Sequence, residues 1–141
     1  MDRTKIGLLL DVNMTANIFE DEYLGKLGEL GDLRVAKEPG RLTIETIAPL
    51  VKGADVLVTG WGSPKLTKEV LDTAPDLKLI IHAAGTVKGI VCDEVWERGI
   101  VVTSGAPVIA IGVAETTLGF IISSLKNFWG LSRSTREGAW N

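Results

Sequence analysis

Few side chains in this sequence are of a type that does chemistry, and their spacing narrows the choice further. His82 is the sole histidine and Cys92 the sole cysteine. One of each cannot close a four-ligand zinc site, and one cysteine forms no internal disulfide. General-base work by His82 lacks the second histidine or paired acid it needs; the simpler reading is a partly buried side chain at a strand end. Cys92 reads as a small packed residue ahead of a helix, not a nucleophile. Glu115 falls in the first turns of an apolar helix, where a helix N-terminus favours a carboxylate without any catalytic duty. Ser123-Ser124-Leu125-Lys126 spells S-x-x-K, but deep in that helix and not at a helix start beside an oxyanion hole. Gly60-Trp61-Gly62 is followed by Lys65, so G-x-G-x-x-G is not completed, and no P-loop, H-E-x-x-H, C-x-x-C or G-x-S-x-G occurs. No catalytic, cofactor-binding or metal-ligating residue is assigned.

What remains is a turn of small residues, Ala83-Ala84-Gly85-Thr86, ahead of Val87-Lys88. Small side chains let the backbone N–H groups of Gly85 and Thr86 reach an anion, and Lys88 adds positive charge. A carboxylate fits such a cradle; a tight turn without a ligand has the same spacing. Gly60-Trp61-Gly62-Ser63 on a neighbouring loop can form the opposite wall with Trp61 as an apolar lid, although that indole could also stack on a flavin.

These loops must be held by the elements around them. Lys5 to Asp11 is an apolar run of strand length, followed by Ile18, Phe19, Tyr23, Leu24, Leu27 and Leu30 at helical spacing, which Gly31 stops. Leu33 to Lys37 is a short strand, and Ile44, Ile47, Ala48 and Val51 mark a second helix whose last turn Pro49 compromises. Ala54 to Thr59 is a buried strand. Thr67 caps a short helix that Pro75 closes, Leu77 to Ile81 is a fourth strand, and Asp93 caps a helix ended by Gly99 before Ile100 to Thr103. Short strands apolar on both faces, alternating with helices, require a parallel sheet covered on both sides. The expected fold is α/β: a flavodoxin-like, doubly wound, five-stranded parallel sheet of order 2-1-3-4-5, with ligands at the carboxyl ends of its strands. The glycine-rich loops are there: Asp11 to Asn13, Gly60 to Pro64, His82 to Lys88 and Ser104 to Pro107. A longer helix, Val108 to about Phe128, follows with no strand after it.

Composition excludes several classes. Of 141 residues, 45% are hydrophobic and 23% charged, which a disordered chain does not combine. A net charge of −3, with no Lys/Arg run longer than two residues, argues against nucleic acid as a partner. The five-residue apolar run Ile6 to Leu10 is short for a signal-peptide core, and Glu115, Thr116, Thr117, Ser123 and Ser124 interrupt the Val108 helix as a membrane span. A cytoplasmic protein is expected. Receiver-domain chemistry falls with the missing acid pair after the first strand and the missing Lys after the fifth.

At the candidate loops the sequence resembles the D-isomer-specific 2-hydroxyacid dehydrogenase family. Leu66-Thr67-Lys68-Glu69-Val70-Leu71 is similar to its T-x-E-L-L helix start, and Pro75-Asp76-Leu77-Lys78-Leu79-Ile80 to its P-x-L-K-x-I strand. His82-Ala83-Ala84-Gly85-Thr86-Val87-Lys88-Gly89-Ile90-Val91 stands where many members read R-x-G-V-G-x-D-N-I-D, keeping the small turn without the Asp-Asn pair. Glu97-Arg98-Gly99-Ile100-Val101-Val102 resembles E-R-G-I-x-V, Val113-Ala114-Glu115 the V-A-E of the interdomain helix, and Arg136-Glu137-Gly138-Ala139-Trp140 the R-x-G-x-W before the cofactor domain. The resemblance implies that residues 1–107 are a substrate-binding domain and 108–141 an interdomain helix and the start of an NAD- or NADP-binding Rossmann domain. It implies a small 2-hydroxy or 2-oxo acid bound by Trp61, Gly62, Ser63, Ala84, Gly85 and Thr86. The family's catalytic Arg, Glu and His have no counterparts here, so this span alone is expected to be inactive and to bind no cofactor; the apolar residues of the 108–128 helix, Ile109, Val113, Leu118, Ile121, Ile122 and Leu125, are expected to pair it as a homodimer or a swapped helix. A non-catalytic folding or interaction module is the alternative.

Overall fold

The computed structural model describes residues 3–139. Trp140, the last position of the R-x-G-x-W resemblance, lies outside them. The chain divides into two compact units, Met1–Ala106 and Pro107–Asn141.

In the first unit the elements follow as β1 (Lys5–Leu9), α1 (Val12–Ile18), α2 (Asp21–Leu30), β2 (Asp32–Val35), α3 (Ile44–Val51), β3 (Val56–Thr59), α4 (Lys68–Asp72), β4 (Leu79–His82), α5 (Asp93–Glu97) and β5 (Val101–Ser104). The strands form one parallel sheet in the order β2-β1-β3-β4-β5, as the alternation of buried strands and helices requires. Its register sets Leu9 beside Thr59, Thr59 beside His82 and His82 beside Ser104, a row along the carboxyl edge. Because side chains alternate between faces, alternate residues feed two cores. Leu9, Leu57 and Ile80 pack with Ile47, Leu50 and Val51 of α3, Val70 and Leu71 of α4 and Val95 of α5. Ile6, Leu8, Leu10 and Val58 pack on the other face with Met14, Ile18, Phe19 and Leu24. Each such side chain, fully buried, contributes roughly 1.5–3 kcal/mol from its transfer out of water.

Local chemistry moves several boundaries from those the sequence suggests. The first helical stretch is two helices, α1 and α2, separated where Phe19 turns extended at φ −116° and ψ 121°. Asp11 belongs to no open loop: its carboxylate accepts from the Asn13 and Met14 amides and caps α1. Gly31 is extended, not left-handed; glycine is required there because a Cβ would lie 2.2 Å from the Thr4 carbonyl oxygen. Pro49 stays inside α3, where the burial of Ile47, Leu50 and Val51 offsets the hydrogen bond it cannot donate. Cys92, not Asp93, occupies the position before α5. Gly99 does take the left-handed conformation of a helix-ending glycine, with φ 67°.

Helix α6 runs Ala106–Leu125, in the second unit from Pro107 onward, and α7 Phe128–Arg136, the two parted by Asn127 in the left-handed region at φ 51°. Glu115 is therefore mid-helix, nine residues from the start at Ala106, beyond reach of the helix N-terminus. Ser123-Ser124-Leu125-Lys126 ends the same helix, the wrong end for S-x-x-K chemistry. No residue of α6 is buried, with Val108 74% and Leu125 81% exposed. The helix is twenty residues long and its most apolar 18-residue window has a mean hydropathy of 1.8, enough by length and composition to cross a bilayer; core helices of soluble proteins meet the same test.

Candidate functional site

The carboxyl edge of a parallel sheet is where loops gather and where ligands of such folds bind. The loop after β3 is a β-turn: Ser63 N–H donates to the Gly60 carbonyl at 3.2 Å, and Gly62 supplies the positive φ, 84°, that the third position of a type II turn needs. The Ser63 hydroxyl is committed inward, accepting from Gly60 N–H and donating to the Leu9 carbonyl, so it ties the turn to the end of β1. Trp61, at the turn's apex, is 60% exposed. The turn does not fit a dinucleotide cradle: the next helix begins only at Lys68, whereas a pyrophosphate site needs a helix N-terminus directly after the glycines.

After β4 the chain turns through Ala83-Ala84-Gly85-Thr86. Ala83 N–H donates to the Thr59 carbonyl at 2.7 Å, and Gly105 N–H to the carbonyls of His82 and Ala84, each at 3.0 Å. The main-chain N–H groups of Ala84, Gly85, Thr86 and Val87 find no acceptor among the described residues. Ala84 is buried, Gly85 half-buried and Thr86 exposed. Consecutive unpaired amides on small residues are donors available to an anion. Lys88 is exposed, and its amide reaches the Thr86 hydroxyl at 3.4 Å. The six candidate residues thus lie on two loops that leave adjacent strands, with the main-chain donors of Ala84, Gly85 and Thr86 open and both the N–H and the hydroxyl of Ser63 used for scaffolding.

His82 is more deeply placed than a strand-end residue suggests. It is 3% exposed, and its Nδ1 is 3.0 Å from the hydroxyl of Thr59, itself 0% exposed. Thr59 was not legible as a site residue; the available signal is a hydroxyl closing one apolar strand beside the lone histidine closing the next. Burial holds the imidazole below its ordinary pKa, with the Thr86 main chain pulling the other way. A base depressed in the folded state stays neutral while the unfolded one protonates, so stability is full above the unfolded value of about 6.5 and falls as pH drops through it toward the folded value. Urea unfolding midpoints are expected to fall between pH 7.5 and 5.5, and to fall less in His82→Gln. Cys92 Sγ donates to the Leu66 carbonyl at 3.0 Å, and burial foremost, with Glu94 nearby, pushes its thiol up. That is a packed thiol, not an activated one. Among the described residues no group of three or more His, Cys, Asp and Glu could hold a metal ion. A recess of about 400 Å3 lined by Arg3, Thr4, Lys5, Asp55, Val56 and Lys78 lies at the opposite, amino edge of the sheet, away from these loops.

A profile of the D-isomer specific 2-hydroxyacid dehydrogenase catalytic domain matches residues 11–139. The chain belongs to this family. It is 34% identical over 115 residues to the D-3-phosphoglycerate dehydrogenase of Methanocaldococcus jannaschii, covering 82% of this chain and 21% of that protein. It is 29% identical over 123 residues to a glyoxylate reductase of Pyrococcus horikoshii, covering 87% of this chain and 34% of the relative. The crystal structure of PH0520 protein from Pyrococcus horikoshii OT3 superimposes with a TM-score of 0.75 at 28% identity, over 99% of this chain and 38% of that one. A D-lactate dehydrogenase of Aquifex aeolicus, solved with NAD and lactic acid, shares the fold at 22% identity, with a TM-score of 0.61 over 96% of this chain and 38% of that chain. The chain thus spans about a fifth to a third of the length of the curated relatives named.

Proposed function

We propose that residues 1–107 are the substrate-binding portion of an oxidoreductase that interconverts 2-hydroxy and 2-oxo acids, and that 108–141 form the helix leading to its nicotinamide-binding domain. The observation that carries this reading is the run of unpaired amides from Ala84 to Val87 at the carboxyl edge of a sheet belonging to this family. The amides of Ala84, Gly85 and Thr86 receive the substrate carboxylate; Trp61, Gly62 and Ser63 form the facing wall. A nicotinamide cofactor held by a Rossmann domain would donate the hydride to the 2-oxo acid in its reduced form and accept it from the 2-hydroxy acid in its oxidised form. This chain's share is to orient the acid, since hydride transfer depends on holding donor and acceptor in one geometry. Residues 1–141 taken alone are expected to be inactive, because the reaction also needs the nicotinamide-binding domain. Its setting is cytoplasmic, and α6 pairs two copies.

Titrating the 141-residue chain with glyoxylate should move the amide resonances of Gly85 and Thr86 in a saturable way at millimolar concentration, while the same sample shows no NAD(P)H-dependent turnover. Unmoved amides reduce the turn to scaffolding; turnover would overthrow the division of labour.

A further inference from the structure

The loops after β3 and β4 are joined below the surface by a contact that holding a carboxylate does not itself require. Thr59 and His82 are register partners closing adjacent strands, and their side chains meet at 3.0 Å in a region where both are buried. Apolar residues would pack there at lower cost, because two desolvated polar groups gain back little more than the one hydrogen bond between them. The main chain makes the same join, through Ala83 N–H to the Thr59 carbonyl and Gly105 N–H to the His82 and Ala84 carbonyls. Main-chain bonds stop at Ala84, however; Gly85 and Thr86 are held by none of them.

We propose that Thr59 and His82 form a positioning strut that fixes the Gly85–Thr86 segment relative to the Gly60–Ser63 turn, so that the amide donors are already ordered when an acid arrives. This rests on reading the two loops as the acid site. A neutral imidazole has one acceptor and one donor nitrogen. In the proposed strut the Thr59 hydroxyl is the donor to Nδ1, which places the ring proton on Nε2. The ring thereby ties the end of β3 to the end of β4, from which the Ala83–Thr86 turn departs. His82 and Thr59 are positioning residues, and neither touches the substrate.

Two readouts separate the strut from the site. In the ligand-free chain, long-range proton–nitrogen correlation spectra should show His82 Nδ1 unprotonated and Nε2 protonated. Thr59→Val should drop the backbone order parameters of Gly85 and Thr86 from the rigid level of about 0.85 to below about 0.6, while Thr59→Ser keeps them. Glyoxylate binding, followed at the same amides, should weaken at least fivefold in Thr59→Val and less than twofold in Thr59→Ser. Should Thr59→Val fail to fold, His82→Gln is read in the same way. Unchanged order in the folded variant, or a proton on Nδ1, overturns the strut. A wild-type chain whose amides ignore glyoxylate overturns the acid-site reading instead, and the two failures are distinct because order parameters need no ligand.

Discussion

Gly7→Ala is expected to lower the unfolding free energy by about 3 kcal/mol, a large share of the 5–15 kcal/mol typical of a domain. A Cβ at Gly7 would lie 2.5 Å from the Leu50 carbonyl oxygen, 3.2 Å from its carbonyl carbon and 2.9 Å from Leu57 Cδ2. Leu57 can change rotamer. The Leu50 carbonyl cannot retreat alone, because it belongs to α3, whose Ile47, Leu50 and Val51 are locked into the core. The added methyl must therefore push a helix off the sheet, and close-packed interiors resist that. Urea denaturation followed by circular dichroism measures the effect. Gly25→Ala is the control: Gly25 lies inside α2 with nothing within 4 Å of its Cβ position, so alanine should raise stability by about 0.5–1 kcal/mol. Equal midpoints for Gly7→Ala and wild type would show that α3 does not press on β1 as described.

The second large effect concerns association. A helix that is apolar all round is buried in a stable assembly, yet Val113, Leu118, Ile121 and Ile122 of α6 are 58%, 57%, 51% and 47% exposed. At tens of micromolar, light scattering is expected to give twice the 15.1 kDa chain mass. Leu118→Glu combined with Ile122→Glu, which share one helix face, should raise the dimer dissociation constant on the order of a hundredfold by burying unpaired carboxylates in the interface. The sheet unit has its own cores, so its amide spectrum should be preserved. A wild-type monomer would remove the dimer proposal. Partition of the wild-type chain into neutral phosphatidylcholine vesicles, lost in the double variant, would assign the same face to a bilayer.

Much of the architecture was readable from local pattern. Strand-length apolar runs ending at Asp11, Thr59 and Ile81, separated by helical periodicity, led to the parallel sheet and its order, because burial on both faces leaves few other solutions. The small-residue turn at Ala84 to Thr86 and the glycine pair around Trp61 stood out for the same reason: small side chains are conspicuous where a sheet ends. Boundaries were less legible. The α1/α2 break at Phe19 follows from which residues reach the second core, and the persistence of α3 past Pro49 follows from what it covers. Neither is encoded in a window of neighbours. Ser63 could be picked out as a candidate from its loop, but the inward use of its hydroxyl depends on Leu9, 54 positions earlier.

Glycines 7 and 31 make the distinction sharpest. Within the sequence Gly7 is one more small residue in an apolar strand, and Gly31 reads as an ordinary helix stop. Their necessity comes from the Leu50 carbonyl pressing on one and the Thr4 carbonyl on the other. The single histidine behaves likewise: its type and place at a strand end were visible, while its bond to Thr59 arises only when the register sets β3 beside β4. Hydrophobic period and turn chemistry are short-range properties, and they specify which elements form and the layers they stack in. Close approaches and buried polar pairs are set by atoms tens of residues apart, and so by the packing of the whole sheet.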